Sequence, residues 1–171
     1  LQKLKKTWPD IHYDIAGTGK DLVRLKQLVQ QYQLQAHVSF LGPVDDKAKT
    51  LLLQQADLFV MPVRHDRDSH SIEGFGMALA EAQMAGCVVL TGQVGGVLDV
   101  VQDQITGFCC NGDSSKSVLQ TMQYILEHPK HAKSCAQAGK AYAHEHFSLA
   151  AMTAKYLALI EQITANRTTE M

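Results

Sequence analysis

Short apolar runs alternate with longer segments of helical periodicity as far as residue 110 of this chain. The short runs are compact, and several of them close on Gly or Pro, which is typical of buried parallel strands. They cover residues 11–17, 37–42, 57–62, 88–91 and 106–110. The pattern therefore predicts five short strands, each separated from the next by a helix or a polar loop.

Apolar residues recur at helical spacing in the segments between these runs. In residues 21–33, for example, Leu22, Leu25, Leu28 and Val29 share one helix face. Further helices are predicted at residues 1–8, 47–56, 74–86, 97–101, 114–128, 131–146 and 148–163. This alternation predicts an α/β fold with a Rossmann-like parallel sheet covered by helices on both faces, followed by a helical C-terminal tail.

Composition and charge exclude few classes of protein. A chain of 171 residues with 46% hydrophobic content fits one domain over residues 1–171. With 16 basic and 17 acidic residues, global charge gives no reason to expect nucleic acid as a partner. The chain has no signal-peptide pattern, so we expect a cytoplasmic protein. Its helix-like start without an initiator Met suggests a fragment of a longer protein.

The four cysteines of the chain show no CxxC pair and no framework spacing. Cys109 and Cys110 are adjacent on a predicted strand, so their side chains should point to opposite faces of the sheet. We therefore expect free, buried thiols at all four positions.

The stretch over residues 61–96 carries the candidate chemistry. Glu73 precedes a predicted helix, Glu81 lies within it, and Gly74 and Gly76 stand between them. N–H groups at a helix start favour an anion, and the missing Cβ atoms permit close approach. A carboxylate on each side can accept hydrogen bonds from hydroxyls. The pattern suits a diphosphate flanked by hydroxyl-bearing groups, as in a nucleotide sugar.

The segment EGFGMALAE, from Glu73 to Glu81, resembles the Glu-seven-residues-Glu motif of retaining glycosyltransferases of the GT-B fold, family 4 type. The resemblance implies that this chain is the C-terminal donor-binding lobe, with an N-terminal acceptor-binding domain absent. It implies that Glu73 contacts the donor sugar and is the catalytic residue. It also implies that Glu81 holds the ribose. The implied donor contacts are Glu73, Gly74, Phe75, Gly76, Met77 and Glu81.

The same resemblance extends to the first part of the chain. It implies a nucleotide cleft lined by Gly17, Gly19, Leu41, Gly42 and Val44. Family members usually carry Gly near Gln104, which is a departure in this sequence. Also missing is the family segment that brings two cations to the diphosphate.

Other site types fit the residues less well. The turn GTGK is neither a dinucleotide fingerprint, since Leu22 stands where its third glycine belongs, nor a P-loop, since Asp21 follows Lys20. A metal site could be drawn from His65, Asp66, Asp68 and His70, but a polar loop supplies such residues anyway.

The resemblance implies an enzyme of carbohydrate biosynthesis. The full-length protein is expected to transfer a hexose with retention, without a metal or other cofactor, and this fragment alone is expected to be inactive. The nucleotide sugar is the expected partner. Peripheral membrane association of the full-length protein is compatible with the resemblance. The alternative is a non-catalytic nucleotide-binding or scaffold module on the same fold. Donor base, donor sugar and acceptor stay open.

Overall fold

A computed structural model of the chain describes residues 1–64 and 73–169, with side chains as far as residue 165. The chain contacts divide it into two compact units, Leu1–Leu52 and Leu53–Met171. The single domain over residues 1–171 stays a prediction.

The first unit is built on a pair of parallel strands. These are β1 (Tyr13–Ala16) and β2 (Val38–Gly42), and helix α1 (Leu22–Gln31) connects them. Helix α2 (Asp46–Gln55) follows and continues past the boundary at Leu52. The carboxylate of Asp45 caps this helix by accepting a hydrogen bond from the Ala48 N–H at 2.7 Å. The predicted N-terminal helix is in fact a short 3₁₀ turn (Leu4–Lys6) whose Leu4 side chain is buried.

The second unit contains the remaining elements. They are β3 (Leu58–Met61), α3 (Met77–Ala85), β4 (Val88–Gly92), α4 (Val97–Val100), β5 (Phe108–Cys110), α5 (Ser115–Glu127), α6 (Pro129–Phe147) and α7 (Leu149–Thr169). The three strands form a parallel sheet in the order β3-β4-β5. Pro129 is the first residue of α6, where its missing N–H and its fixed φ are tolerated. The helical tail is confirmed.

Helices cover both faces of this sheet, because successive side chains along a strand point to opposite sides. Val89 and Cys109 pack in one hydrophobic cluster with residues of α3 and α4. Leu90, Phe108 and Cys110 pack in a second cluster with residues of α5 and α6. The predicted α/β class, the parallel pairing and the opposite orientations of Cys109 and Cys110 are confirmed.

The four thiols are free and buried, as expected. Burial raises the pKa of Cys87 to about 11 and that of Cys109 to about 12, so both thiols are protonated at neutral pH. Among the helices that the structure describes, none is long and apolar enough to cross a membrane.

Candidate functional site

Glu73 is held at two points where the chain enters helix α3. Its side chain is exposed, and carboxylate oxygen Oε1 accepts a hydrogen bond from the Gly76 N–H at 3.1 Å. Its backbone carbonyl accepts a second hydrogen bond, from the Gly96 N–H, also at 3.1 Å. The carboxylate is therefore fixed beside the first turn of the helix while it stays open to solvent.

Gly76 makes the sharp entry into α3 possible. Its φ of 88° and ψ of 56° lie in the left-handed region, which glycine adopts without strain. A Cβ at this position would lie 2.9 Å from Leu79 Cδ1 and 3.2 Å from Val97 Cγ1, closer than ordinary contact. The Gly76 carbonyl accepts the first helical hydrogen bonds, from the Leu79 and Ala80 N–H groups. The conformation therefore favours glycine, and a side chain here would in addition crowd Leu79 and Val97.

The start of α3 presents backbone donors. The first N–H groups of any α-helix have no intrahelical acceptor, and the helix dipole adds a partial positive charge there. Met77, the first residue of this nine-residue helix, is 66% exposed, so this end lies at the surface. An anion placed here would meet directed N–H groups.

Glu81 lies on the same face of α3 as Met77, because residues four apart in a helix are neighbours. At about 1.5 Å per residue it stands roughly 6 Å further along the axis than Met77. Its side chain is partly buried. The two motif carboxylates thus lie at and beyond the start of one helix, as the sequence pattern requires.

The side chain of Phe75 anchors the turn instead of lining open space. It packs against the cluster that includes α3 and α4. Its ring meets the Phe147 ring edge-on, with centroids 5.1 Å apart and an interplanar angle of 84°. Phe75 therefore contributes to the site by holding its own backbone and those of Gly74 and Gly76 in place.

The predicted cleft residues of the first unit gather where β1 and β2 end. Gly17, the residue after β1, donates from its N–H to the carbonyl of Gly42, the last residue of β2, at 2.6 Å. A Cβ added at Gly17, Gly19 or Gly42 would meet nothing within 4 Å, so the backbone is open there. Leu41 is 39% exposed and Val44 is half-buried. Their role in nucleotide binding stays a prediction.

Among residues 1–64 and 73–169, no group of three or more His, Cys, Asp or Glu side chains is placed to hold a metal ion. The alternative metal ligands His65, Asp66, Asp68 and His70 lie outside the described residues.

A serine, a histidine and an aspartate meet at β1 and β2. His12 Nε2 lies 2.8 Å from Ser39 Oγ and 3.5 Å from Asp14 Oδ1. In a nucleophilic relay the base uses one ring nitrogen for the serine and the other for the carboxylate. Because one nitrogen faces both partners here, this group is a surface polar cluster and not a catalytic triad.

Gly96 is a site residue that the sequence motif alone does not identify. Its N–H donates to the Glu73 carbonyl, so it contacts the motif directly. The available signal was its position: the glycine pair Gly95-Gly96 follows β4 at the carboxyl edge of the sheet, where ligands bind in such folds.

Comparison with known proteins places the chain in a family. The sequence profile of the family described as "Glycosyl transferases group 1" matches residues 1–142. The GDP-mannose-dependent alpha-(1-6)-phosphatidylinositol monomannoside mannosyltransferase of Mycolicibacterium smegmatis is 27% identical over 143 residues, covering 84% of this chain and 37% of that relative. The chain therefore spans little more than a third of that relative's length.

Solved structures share the fold. The crystal structure of Anabaena Alr3699/HepE in complex with UDP-glucose has a TM-score of 0.78 at 20% identity, covering 90% of this chain and 42% of that one. The C-terminal domain of a glycosyl transferase group 1 family protein (LpcC) from Francisella tularensis has a TM-score of 0.74 at 23% identity, covering 86% of this chain and 75% of that one.

This chain belongs to the group 1 glycosyl transferases, and the predicted GT-B type of α/β lobe agrees with the fold of these structures.

Proposed function

We propose that this chain is the donor-binding part of a retaining hexosyltransferase, which transfers a sugar from a nucleotide diphosphate sugar to an acceptor in the full-length protein. The observation that carries the proposal is the turn from Glu73 to Gly76, where a carboxylate and the open N-terminus of α3 lie side by side.

The start of α3 is the proposed diphosphate site. Its directed N–H groups and the positive end of the helix dipole stabilise negative charge, typically by about 0.3–1 kcal/mol for an exposed group and more where the site is dry. Charge builds up on the diphosphate as the sugar leaves, so the same groups would stabilise the departing group. In this proposal no metal ion or other cofactor is needed.

The two carboxylates are assigned to the two ends of the donor. Glu73, which the Gly76 N–H holds in place, is proposed to accept hydrogen bonds from hydroxyls of the sugar. Glu81, about one turn into α3, is proposed to accept hydrogen bonds from the ribose hydroxyls. Gly17, Gly19, Leu41, Gly42 and Val44 are proposed to face the nucleotide.

The relatives support a hexose donor and leave its base open. One relative is named as GDP-mannose-dependent, and one structural neighbour was crystallised with UDP-glucose. Because the chain spans 37% of the mannosyltransferase relative, we assign acceptor binding to the remainder of the full-length protein. The cytoplasmic location and any peripheral membrane contact belong to the same proposal.

Binding calorimetry tests the ribose assignment. The parent chain, Glu81→Gln and the control Glu127→Gln are titrated with GDP, UDP and ADP; Glu127 is an exposed carboxylate at the end of α5. A hydrogen bond to a charged group is worth about 1.5–3 kcal/mol, so Glu81→Gln should weaken binding of the preferred nucleotide roughly 10- to 100-fold. Glu127→Gln should bind like the parent. Equal affinity for all three proteins would contradict the ribose role of Glu81.

Turnover by the full-length enzyme distinguishes catalysis from scaffolding. Glu73→Gln keeps the shape of the side chain but removes its charge, and it should abolish most sugar transfer. Full transfer activity in that variant would favour the non-catalytic nucleotide-binding or scaffold module.

A further inference from the structure

Gly96 leaves no room for a side chain against the turn that carries Glu73. A Cβ built on Gly96 would lie 1.8 Å from the Gly74 carbonyl oxygen and 3.2 Å from Phe75 Cα. The first of these distances is about 1.6 Å shorter than the 3.4 Å at which ordinary contact begins. Since the Gly96 N–H also donates to the Glu73 carbonyl, backbone lies directly on backbone at this point.

A second contact of this kind lies at the end of β3. The Val63 carbonyl oxygen would be 1.7 Å from a Cβ on Gly92 and 2.2 Å from a Cβ on Gly112. Gly92 is the last residue of β4, and Gly112 comes two residues after the end of β5. The backbone that leaves β3 therefore lies against the carboxyl ends of β4 and β5, with Gly92 as the last residue of β4 and Gly112 just beyond β5.

The backbone conformation does not explain why glycine is needed at these three positions. None of them has a φ in the left-handed region, and Gly96 has a φ of −73°, which every residue adopts easily. What excludes a side chain at each position is a backbone carbonyl, which cannot rotate away as the tip of a flexible side chain can.

We propose that Gly92, Gly96 and Gly112 are positioning residues that hold Val63 and the Glu73–Gly76 turn against the carboxyl edge of the sheet, and so set the place of the Glu73 carboxylate. The Glu73 carboxylate belongs to the proposed donor site, so this inference rests on the proposed function. Any side chain at Gly96 would displace the Gly74–Phe75 backbone by about 1 Å or more, and misplacement on that scale typically costs about 100-fold in the rate of a positioned reaction.

The test compares Gly96→Ala with Gly107→Ala. Gly107 precedes β5 at the amino end of the strand, and a Cβ there would lie 2.4 Å from Val89 Cγ2 and 3.0 Å from the Val89 carbonyl oxygen. Both variants introduce a clash at an ordinary φ in the same unit, and both should lower the melting temperature. Only Gly96→Ala places its clash against the turn that carries Glu73.

Two measurements are made on the parent chain and both variants. Calorimetry with GDP-mannose and UDP-glucose should show at least about 10-fold weaker binding for Gly96→Ala, and affinity within about 2-fold of the parent for Gly107→Ala. Amide hydrogen exchange without ligand should show faster exchange at Gly76 in Gly96→Ala alone, because that N–H loses its bond to Glu73 Oε1.

The outcomes separate the two proposals. Parent-like affinity and parent-like Gly76 exchange in a folded Gly96→Ala protein would overturn the positioning role. A parent chain that binds neither nucleotide sugar would defeat the proposed function, while Gly76 exchange would still decide the positioning role. If Gly96→Ala does not fold, Gly112→Ala takes its place. Faster amide exchange at Val63 is then the expected result, and parent-like exchange at Val63 would overturn the positioning role.

Discussion

Replacement of Gly76 by alanine offers a direct test of why the chain enters α3 as it does. Two independent costs apply at this position. The left-handed φ of 88° disfavours any residue with a Cβ, and the added methyl carbon would press on Leu79 Cδ1 at 2.9 Å. Gly86, at the other end of α3, has a similar φ of 85°, but a Cβ there meets Lys140 Cδ at an ordinary 3.5 Å.

This pair of glycines separates the conformational cost from the contact cost. A left-handed conformation costs a non-glycine residue roughly 1–2 kcal/mol, which should be the whole effect of Gly86→Ala. Crowding a packed core adds typically about 1–3 kcal/mol, so Gly76→Ala should lose about 2–5 kcal/mol in total. Gly74→Ala should cost less than either, because its Cβ meets nothing within 4 Å and its φ is not left-handed.

Urea unfolding followed by far-UV circular dichroism measures these losses, with the three variants and the parent compared at one pH. The expected order of stability is parent and Gly74→Ala first, Gly86→Ala next and Gly76→Ala last. If Gly76→Ala proved no less stable than Gly86→Ala, the packing of Leu79 and Val97 against this turn would not be the constraint described here.

Four further predictions address other parts of the chain. Gln104 has a φ of 59° and an exposed side chain, so Gln104→Gly should raise the free energy of unfolding by about 1 kcal/mol in urea titrations; no gain would contradict the strain argument. Gln83 is fully buried and donates from Nε2 to the Thr106 carbonyl at 3.0 Å. Gln83→Glu should therefore lose about 3 kcal/mol or more at pH 7, and less at pH 4 where the acid is neutral, whereas a pH-independent loss would argue against burial. The pKa of Cys87 is raised from 9.0 to about 11, so the unfolded thiol ionises first and stability should fall between pH 9 and 11. The free energy of unfolding of the Cys87→Ala variant should fall less steeply with pH over that range. A fall as steep as that of the parent would assign the loss of stability to other groups. Finally, because this chain spans 37% of its mannosyltransferase relative, it should transfer no sugar alone; repeated turnover that disappears in Glu73→Gln would refute this.

Much of the architecture follows from local patterns in the sequence. Short apolar runs that close on Gly42 or Pro62, and helices that end on a glycine such as Gly86, mark the alternation of strand and helix. Their adjacency on a strand likewise predicted that the Cys109 and Cys110 side chains point to opposite faces of the sheet, because side chains alternate along a strand whatever surrounds it. The Glu73 to Glu81 motif could also be found from sequence, since one helix start and one following turn contain it.

Other features depend on segments distant in sequence. Nothing local to Gly92, Gly96 or Gly112 requires glycine, because their φ values are ordinary; the requirement comes from the Val63 and Gly74 carbonyls that tertiary structure brings against them. The helix expected at residues 1–8 is reduced to a 3₁₀ turn, since intrinsic helix propensity is a weak guide for so short a segment. Sequence thus determined which elements form and where the motif lies, whereas contacts between distant backbone segments decided how closely those elements approach and which residues hold Glu73 in place.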